Sequence, residues 1–205
     1  RVYYHEKSER YYNENGRSVK KTFLRMPLNY TRVSSHFDLH RHHPVLHRVK
    51  AHYGTDFAAP TGTPVWAAAD GVVSFTGKKG GYGNLVIVNH KNGLVSYYGH
   101  LHRIGRKIKK GVKVKQKQVI GTVGSTGLAT GPHLHFGLKE KGKWVDVLTK
   151  RFSPGKPIKR QYRAEFMTRV KELTRRLDAI ALKPPSEAIA EEKKGEDTEA
   201  GAGGP

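Results

Sequence analysis

Residues 84–100 read NLVIVNHKNGLVSYYGH, and this stretch decides the predicted fold. Two runs rich in Val, Leu and Tyr flank an Asn-Gly pair at 92–93, which is a strong signal for a β-hairpin turn. An Asp-Gly pair at 70–71 predicts a second hairpin, and similar strand-length runs with glycine turns continue over residues 33–148. Repeated strands at this spacing predict a mainly β fold, an antiparallel β-sheet or β-sandwich.

The segments outside this region differ from it in composition. Residues 1–32 are Tyr-rich, and we predict that they form the end of an upstream β-module or a strand pair packed on the domain at 33–160. Apolar side chains recur at helical spacing over residues 161–182, which predicts a C-terminal amphipathic helix. Residues 183–205 have too few apolar side chains to form a core, so we expect a disordered tail.

The composition limits the kind of site that the chain can hold. The 205 residues include 38 Lys plus Arg, 17 Asp plus Glu and 12 His, with a formal net charge of +21 and no Cys. The lack of cysteine excludes disulfide scaffolds, Cys-rich zinc fingers, iron–sulfur clusters and Cys nucleophiles. No window approaches the roughly 18–20 apolar residues of a membrane-spanning helix. The positive charge attracts polyanions of several kinds and does not choose among them.

Three histidine-containing clusters are candidates for a metal or catalytic site, HYGTD at 52–56, YGHLH at 98–102 and GPHLHF at 131–136. Side chains alternate along a strand, so His133 and His135 project from the same face. They would be two metal ligands, or one ligand and one catalytic base. A pair of solvent-facing histidines is the alternative interpretation.

The first cluster offers an imidazole and a carboxylate four residues apart. Together with one histidine of the third cluster, His52 and Asp56 supply the three protein ligands of a catalytic zinc site, which keeps a fourth position for water. A loop histidine and a turn aspartate would give the same pattern. In the second cluster, the spacing does not decide between His100 and His102 as a further imidazole of the site.

Four motifs in order carry a resemblance to a known family. His-x-x-x-Asp at 52–56 is followed by FAAPTGTPVWAAADG, then GYGNLVIVNH, then YYGHL, and then TGPHLHF. This series resembles the lysostaphin/LytM-type zinc metallopeptidases, which cut peptidoglycan peptides. The stretch RVSSHFDLHRHHPVL also resembles the segment before the zinc motif in periplasmic murein endopeptidases of Gram-negative bacteria. The resemblance covers roughly residues 12–160 and is strongest over 33–148.

The resemblance implies a role for individual residues. The family's Zn²⁺ ligands fall on His52, Asp56 and His135, while His100 and His133 correspond to histidines that line the reaction site. His100 is thereby favoured over His102. Asn84, in the GYGN motif, resembles a position that lines the substrate groove, although Asn is equally a residue that begins a strand after a turn.

The implied function is a zinc-dependent endopeptidase. It would hydrolyse the cross-linked stem peptides of peptidoglycan, at the D-Ala–diaminopimelate link, with a metal-activated water. A catalytically silent wall-binding or hydrolase-activating module of the same fold is the alternative, and the five intact site residues favour the enzyme. Nucleic-acid binding ranks third because no recognisable nucleic-acid motif is present. The expected location is the periplasm or cell envelope of a Gram-negative bacterium, with the targeting segment outside this chain and an upstream module or adaptor as a regulatory partner.

Overall fold

The computed structural model describes residues 1–40 and 51–179, and within these ranges the chain is mostly β-strand. The strands are β1 (Tyr3–His5), β2 (Arg10–Tyr12), β3 (Ser18–Lys21), β4 (Arg32–Ser35), β5 (Thr55–Ala58), β6 (Pro64–Trp66), β7 (Gly71–Lys78), β8 (Asn84–His90), β9 (Leu94–Gly99), β10 (Leu101–Ile104), β11 (Lys113–Val114), β12 (Val119–Val123), β13 (His133–Glu140), β14 (Lys143–Val145) and β15 (Pro154–Gly155). The α-helix α1 (Arg160–Asp178) follows them. The chain forms two compact units.

The larger unit, Lys21–Pro154, contains two antiparallel sheets that share one core. The main sheet has the order β11-β7-β8-β9-β13-β5-β4, and β14 pairs with β13 outside that path. A second sheet has the order β10-β12-β6. The Asn-Gly pair at 92–93 connects β8 to β9, whose residues pair in antiparallel register. The predictions of a mainly β antiparallel fold and of this hairpin are confirmed.

Strand alternation separates the core face of the main sheet from its open face. On β13, Leu134, Phe136 and Leu138 are fully buried in the core. His133 and His135 project from the opposite face because side chains alternate along a strand. Antiparallel register places His135 opposite a residue of β5 on one side and opposite a residue of β9 on the other. The three adjacent strands β5, β13 and β9 therefore bring residues from separate parts of the sequence together around His135.

The prediction of a hairpin at 70–71 is wrong. Among the described strands β6 pairs with β12 alone, in the second sheet, whereas β7 pairs with β8 and β11 in the main sheet. Asp70 makes long-range contacts instead: its Oδ1 accepts a hydrogen bond from the Gln116 N–H at 2.7 Å, and its carbonyl accepts one from His90 Nδ1 at 3.0 Å. These tertiary partners outweigh the local turn preference of Asp-Gly.

The smaller unit comprises residues 1–20 and the described residues from Gly155 onward. It has a sheet of order β1-β2-β3-β15 and the helix α1, which share a core of Tyr3, Tyr12, Ile158, Phe166 and Val170. The C-terminal helix is confirmed, but residues 180–205, including the predicted tail, lie outside the described part. The predicted segment boundaries at 32 and 160 stay predictions. No helix among the described residues is long and apolar enough to span a membrane.

Candidate metal centre

Three side chains converge on the open face of the main sheet. Asp56 lies opposite His135 in the β5–β13 pairing, and its Oδ1 is 2.8 Å from His135 Nδ1. His52 Nε2 lies 3.1 Å from the same Oδ1 and 3.2 Å from His135 Nδ1. All three ligand atoms lie within 4.8 Å of one another. Donors that bind one tetrahedral ion at about 2.0–2.2 Å are roughly 3.3–3.6 Å apart. The observed separations of 2.8–3.2 Å are slightly shorter, so a small outward movement of the side chains would let all three atoms bind one metal ion.

The main chain of residues 36–38 positions His52. The backbones of Asp38 and His52 form an isolated antiparallel bridge, and His52 Nδ1 donates a hydrogen bond to the His36 carbonyl at 2.7 Å. Because a carbonyl only accepts, the proton is on Nδ1 and the Nε2 lone pair faces Asp56 and His135. This is the arrangement that orients a metal-binding histidine. This hydrogen bond could not be predicted from the sequence, because its acceptor is a backbone carbonyl.

Gly54 leaves the space that the His135 ring occupies. A Cβ at Gly54 would lie 2.6 Å from His135 Cε1, 2.7 Å from Nε2 and 2.9 Å from the Phe136 carbonyl oxygen. Only a residue without a side chain fits between the His52 and Asp56 positions without displacing that ring. The glycine is visible in the sequence, but the close approach that requires it is visible only in the structure.

The carboxyl of Asp56 is held in its charged form. Burial alone would raise its pKa, but the close imidazoles of His135 and His52 outweigh burial and keep the pKa of Asp56 below its usual range. One carboxylate and two imidazole nitrogens form a donor set that divalent transition metals accept. The structure thus brings together the three predicted ligands in a geometry able to bind a metal.

Two further imidazoles lie beside this group. His133 Nδ1 donates to the Gly131 carbonyl at 2.8 Å, and His100 Nδ1 donates to the Thr126 carbonyl at 2.7 Å. Their rings are 4.7 Å apart, and His133 Nε2 is 3.9 Å from Asp56 Oδ2. Burial lowers the pKa of His100, which favours its neutral form. Each ring therefore carries a proton on Nδ1, and the neutral form of His100 keeps Nε2 as an acceptor.

The structure distinguishes His100 from His102. His100 is 7% exposed and its ring lies 5.8 Å from that of His135, whereas His102 is exposed. The chain turns at His100, whose φ of 59° interrupts the strand alternation between β9 and β10. Asn84 lies close by, and its amide nitrogen is 2.9 Å from the Leu101 carbonyl oxygen. Its predicted contact with substrate stays a prediction.

Aromatic residues outside the predicted site continue the open face from the metal group. The Tyr82 ring lies 5.4 Å from the His135 ring, and Tyr97 packs 4.8 Å from Trp144. Trp144 in turn stacks on Tyr53 at 5.3 Å with an interplanar angle of 18°. Tyr97 lies two residues before Gly99 on β9, so the two residues face the same side of the sheet. Gly99 lies opposite His135, so a prediction that pairs β9 with β13 would have placed Tyr97 on the open face.

Comparisons with known proteins agree with this geometry. Residues 50–147 match Peptidase family M23. Over 168 residues the chain is 43% identical to the peptidoglycan DD-endopeptidase ShyC of Vibrio cholerae, an alignment that covers 82% of this chain and 38% of that protein. The chain spans about two fifths of the length of the first curated relatives that it matches.

Solved structures give the same result. A zinc-containing peptidase from Vibrio cholerae superposes with a TM-score of 0.61 at 37% identity, covering 74% of this chain and 47% of that one. The catalytic domain of the antimicrobial peptidase lysostaphin from Staphylococcus simulans superposes with a TM-score of 0.50 at 30% identity, covering 57% of this chain and 89% of that one. The resemblance to LytM-type enzymes is thereby confirmed, and the chain belongs to peptidase family M23, a family of metallopeptidases.

Proposed function

We propose that this chain is the catalytic part of a zinc-dependent endopeptidase that hydrolyses peptide cross-links of peptidoglycan. The observation that carries the proposal is the convergence of His52 Nε2, Asp56 Oδ1 and His135 Nδ1 beside two further imidazoles. The DD-endopeptidase name of the relative ShyC supports the substrate class. The catalytically silent alternative is not favoured, because His100 and His133 both lie at the metal group.

We assign the metal as Zn²⁺, held by His52, Asp56 and His135. Imidazole and carboxylate are both zinc ligands, and three protein ligands leave a position open for water or substrate. A bound Zn²⁺ would supply a water of pKa ~7 and would polarise the scissile carbonyl. The ionised carboxylate of Asp56 offsets part of the charge of the cation.

His100 and His133 are assigned the proton transfers. Each imidazole holds its own proton on Nδ1 against a backbone carbonyl and presents Nε2 as a base. An imidazole that takes a proton at Nε2 becomes a cation that can return the proton to the leaving amine from the same atom. The two fixed backbone contacts keep both rings oriented during this exchange.

The D-Ala–diaminopimelate link is the proposed scissile bond, and the periplasm of a Gram-negative bacterium is the proposed location. The DD-endopeptidase name of ShyC supports the bond. The resemblance of residues 32–46 to the Gram-negative subfamily supports the location. An upstream module or an adaptor as a regulatory partner is part of the same proposal.

The test is digestion of purified sacculi, with the released muropeptides identified by mass spectrometry. The wild-type protein should convert cross-linked muropeptides into monomers, lose this activity with a chelator, and regain it with Zn²⁺. His52→Ala and His135→Ala should lose both bound zinc and activity, while the exposed His102→Ala should keep both. Activity that resists chelation, or zinc binding at wild-type affinity by His52→Ala, would overturn the assignment of the ligands.

A further inference from the structure

Three segments interlock around His100. They are residues 80–84 at the start of β8, residues 99–102 at the junction of β9 and β10, and residues 124–128 after β12. A Cβ at Gly83 would overlap the backbone of Thr126, and one at Gly127 would overlap the backbone of Gly83. The backbones of these segments therefore approach each other so closely that glycine is required at two of the contacts.

His100 has an unusual conformation within this arrangement. Its φ of 59° lies in the left-handed region, which residues with a side chain seldom adopt. Its N–H donates to the Tyr82 carbonyl at 2.8 Å, and its Nδ1 donates to the Thr126 carbonyl at 2.7 Å. Such a backbone conformation persists only where the surroundings hold it. The direction of the His100 ring thus depends on the two neighbouring segments.

Asn84 links the three segments through hydrogen bonds. Its side-chain Nδ2 lies 2.9 Å from the Leu101 carbonyl oxygen and 3.2 Å from that of His102, the two carbonyls that follow His100. Its backbone N–H donates to Thr126 Oγ1 at 2.9 Å, and that hydroxyl donates to the Leu101 carbonyl at 2.9 Å. The two hydrogens of the Asn84 amide are therefore directed at the main chain on the C-terminal side of His100.

We propose that Asn84 is a positioning residue for His100. By holding the carbonyls of Leu101 and His102, it keeps His100 in its left-handed conformation, with Nδ1 on the Thr126 carbonyl and the ring beside those of His133 and His135. The inference rests on the proposed function in so far as that function gives His100 a role in proton transfer. Direct contact of Asn84 with substrate is the competing interpretation.

The variant Asn84→Asp tests this assignment. It keeps the shape of the side chain but directs a carboxylate, which cannot donate, at two carbonyl oxygens. With a soluble cross-linked muropeptide as substrate, kcat should fall roughly ten- to hundredfold while KM stays within about twofold, because orientation is lost and binding is not. Asn89→Asp is the matched control, since Asn89 is exposed on the same strand. A raised KM with an unchanged kcat would show substrate contact and overturn the proposal.

A second measurement does not depend on activity. In the metal-free protein, ¹⁵N NMR of the imidazoles should find His100 with its proton on Nδ1 in the wild type and in Asn89→Asp, and should find that state lost in Asn84→Asp. Metal affinity should stay the same, because Asn84 contacts none of the three proposed ligands. An unchanged His100 spectrum in Asn84→Asp overturns the proposal. A wild-type protein with the expected His100 spectrum and no hydrolysis overturns the proposed function alone.

Thr126 offers a separate pair of variants in case Asn84→Asp does not fold. Thr126→Ser keeps the hydroxyl that bonds Asn84 and Leu101, and Thr126→Val removes it while keeping the shape. The serine variant should retain wild-type kcat and the wild-type His100 spectrum. In the valine variant kcat should fall and the wild-type His100 spectrum should be lost, as in Asn84→Asp. Equal kcat values for the two variants would contradict the positioning role.

Discussion

Replacing Gly54 by alanine should damage the metal centre through one added methyl group. Gly54 is buried and its φ lies outside the left-handed region, so alanine can adopt its backbone conformation. The new Cβ would nevertheless lie 2.6 Å from His135 Cε1, where an ordinary carbon–carbon contact is about 3.5–4.0 Å. About 1 Å of overlap must therefore be relieved.

The overlap has two ways to relax, and both move a proposed ligand. The Phe136 carbonyl, 2.9 Å from the same Cβ, belongs to β13, which is paired on both sides and cannot retreat. Either the His135 ring turns away, or the segment between His52 and Asp56 shifts. We expect overpacking to cost about 1–3 kcal/mol of unfolding free energy. Displacing a ligand should weaken metal binding roughly ten- to hundredfold, as loss of an orienting contact does.

The measurements are zinc affinity by competition with a chromophoric chelator, and urea unfolding of the metal-free protein. Gly131→Ala is the matched control, because a Cβ there meets nothing within 4 Å and its φ is also outside the left-handed region. That variant should bind zinc as the wild type does and unfold at equal or slightly higher urea, since alanine restricts the unfolded chain by about 0.4–1 kcal/mol. Wild-type zinc affinity and stability in Gly54→Ala would refute the steric reasoning.

Three further predictions concern the core and the aromatic residues of the larger unit. Ser96→Ala should lose about 1–3 kcal/mol in urea unfolding, because Ser96 Oγ is buried at 2.7 Å from His90 Nε2 and 2.9 Å from Tyr98 Oη. Combining it with Tyr98→Phe should cost less than the sum of the single variants; strict additivity would show that the three groups do not act together. Burial lowers the pKa of His90 in the folded chain. The stability that His90 contributes is therefore complete above its unfolded pKa of about 6.5 and is lost as the pH falls toward its folded pKa. The difference in unfolding free energy between wild type and His90→Gln should therefore shrink from pH 8 to pH 5, and a difference independent of pH would contradict this. Trp144→Ala should cost about 1–3 kcal/mol, because Trp144 stacks on Tyr53 and packs on Tyr97; an unchanged urea midpoint would show that these rings add no stability.

Local patterns predicted those parts of the fold that depend on short-range geometry. The turn at residues 92–93 follows from the backbone conformations that Asn and Gly permit, and the shared face of His133 and His135 follows from strand alternation. The prediction at 70–71 failed because Asp70 forms hydrogen bonds with His90 and Gln116, which are distant in sequence. Strand pairing between such distant segments has no local signal, and the position of Tyr97 on the open face was missed for the same reason.

The site itself shows why its supporting contacts could not be predicted along with its ligands. The three imidazoles of His52, His100 and His133 each direct Nδ1 at a main-chain carbonyl, those of His36, Thr126 and Gly131. A carbonyl is present at every residue, so no residue type in the sequence marks these partners. The tautomer of each ring is consequently set by the path of the backbone, and the side chain of a partner matters only where, like that of Thr126, it helps to hold that path. Substitutions that change the path of the backbone, as at Gly54 or Asn84, should therefore disturb the chemistry more than substitutions of exposed side chains, as at His102.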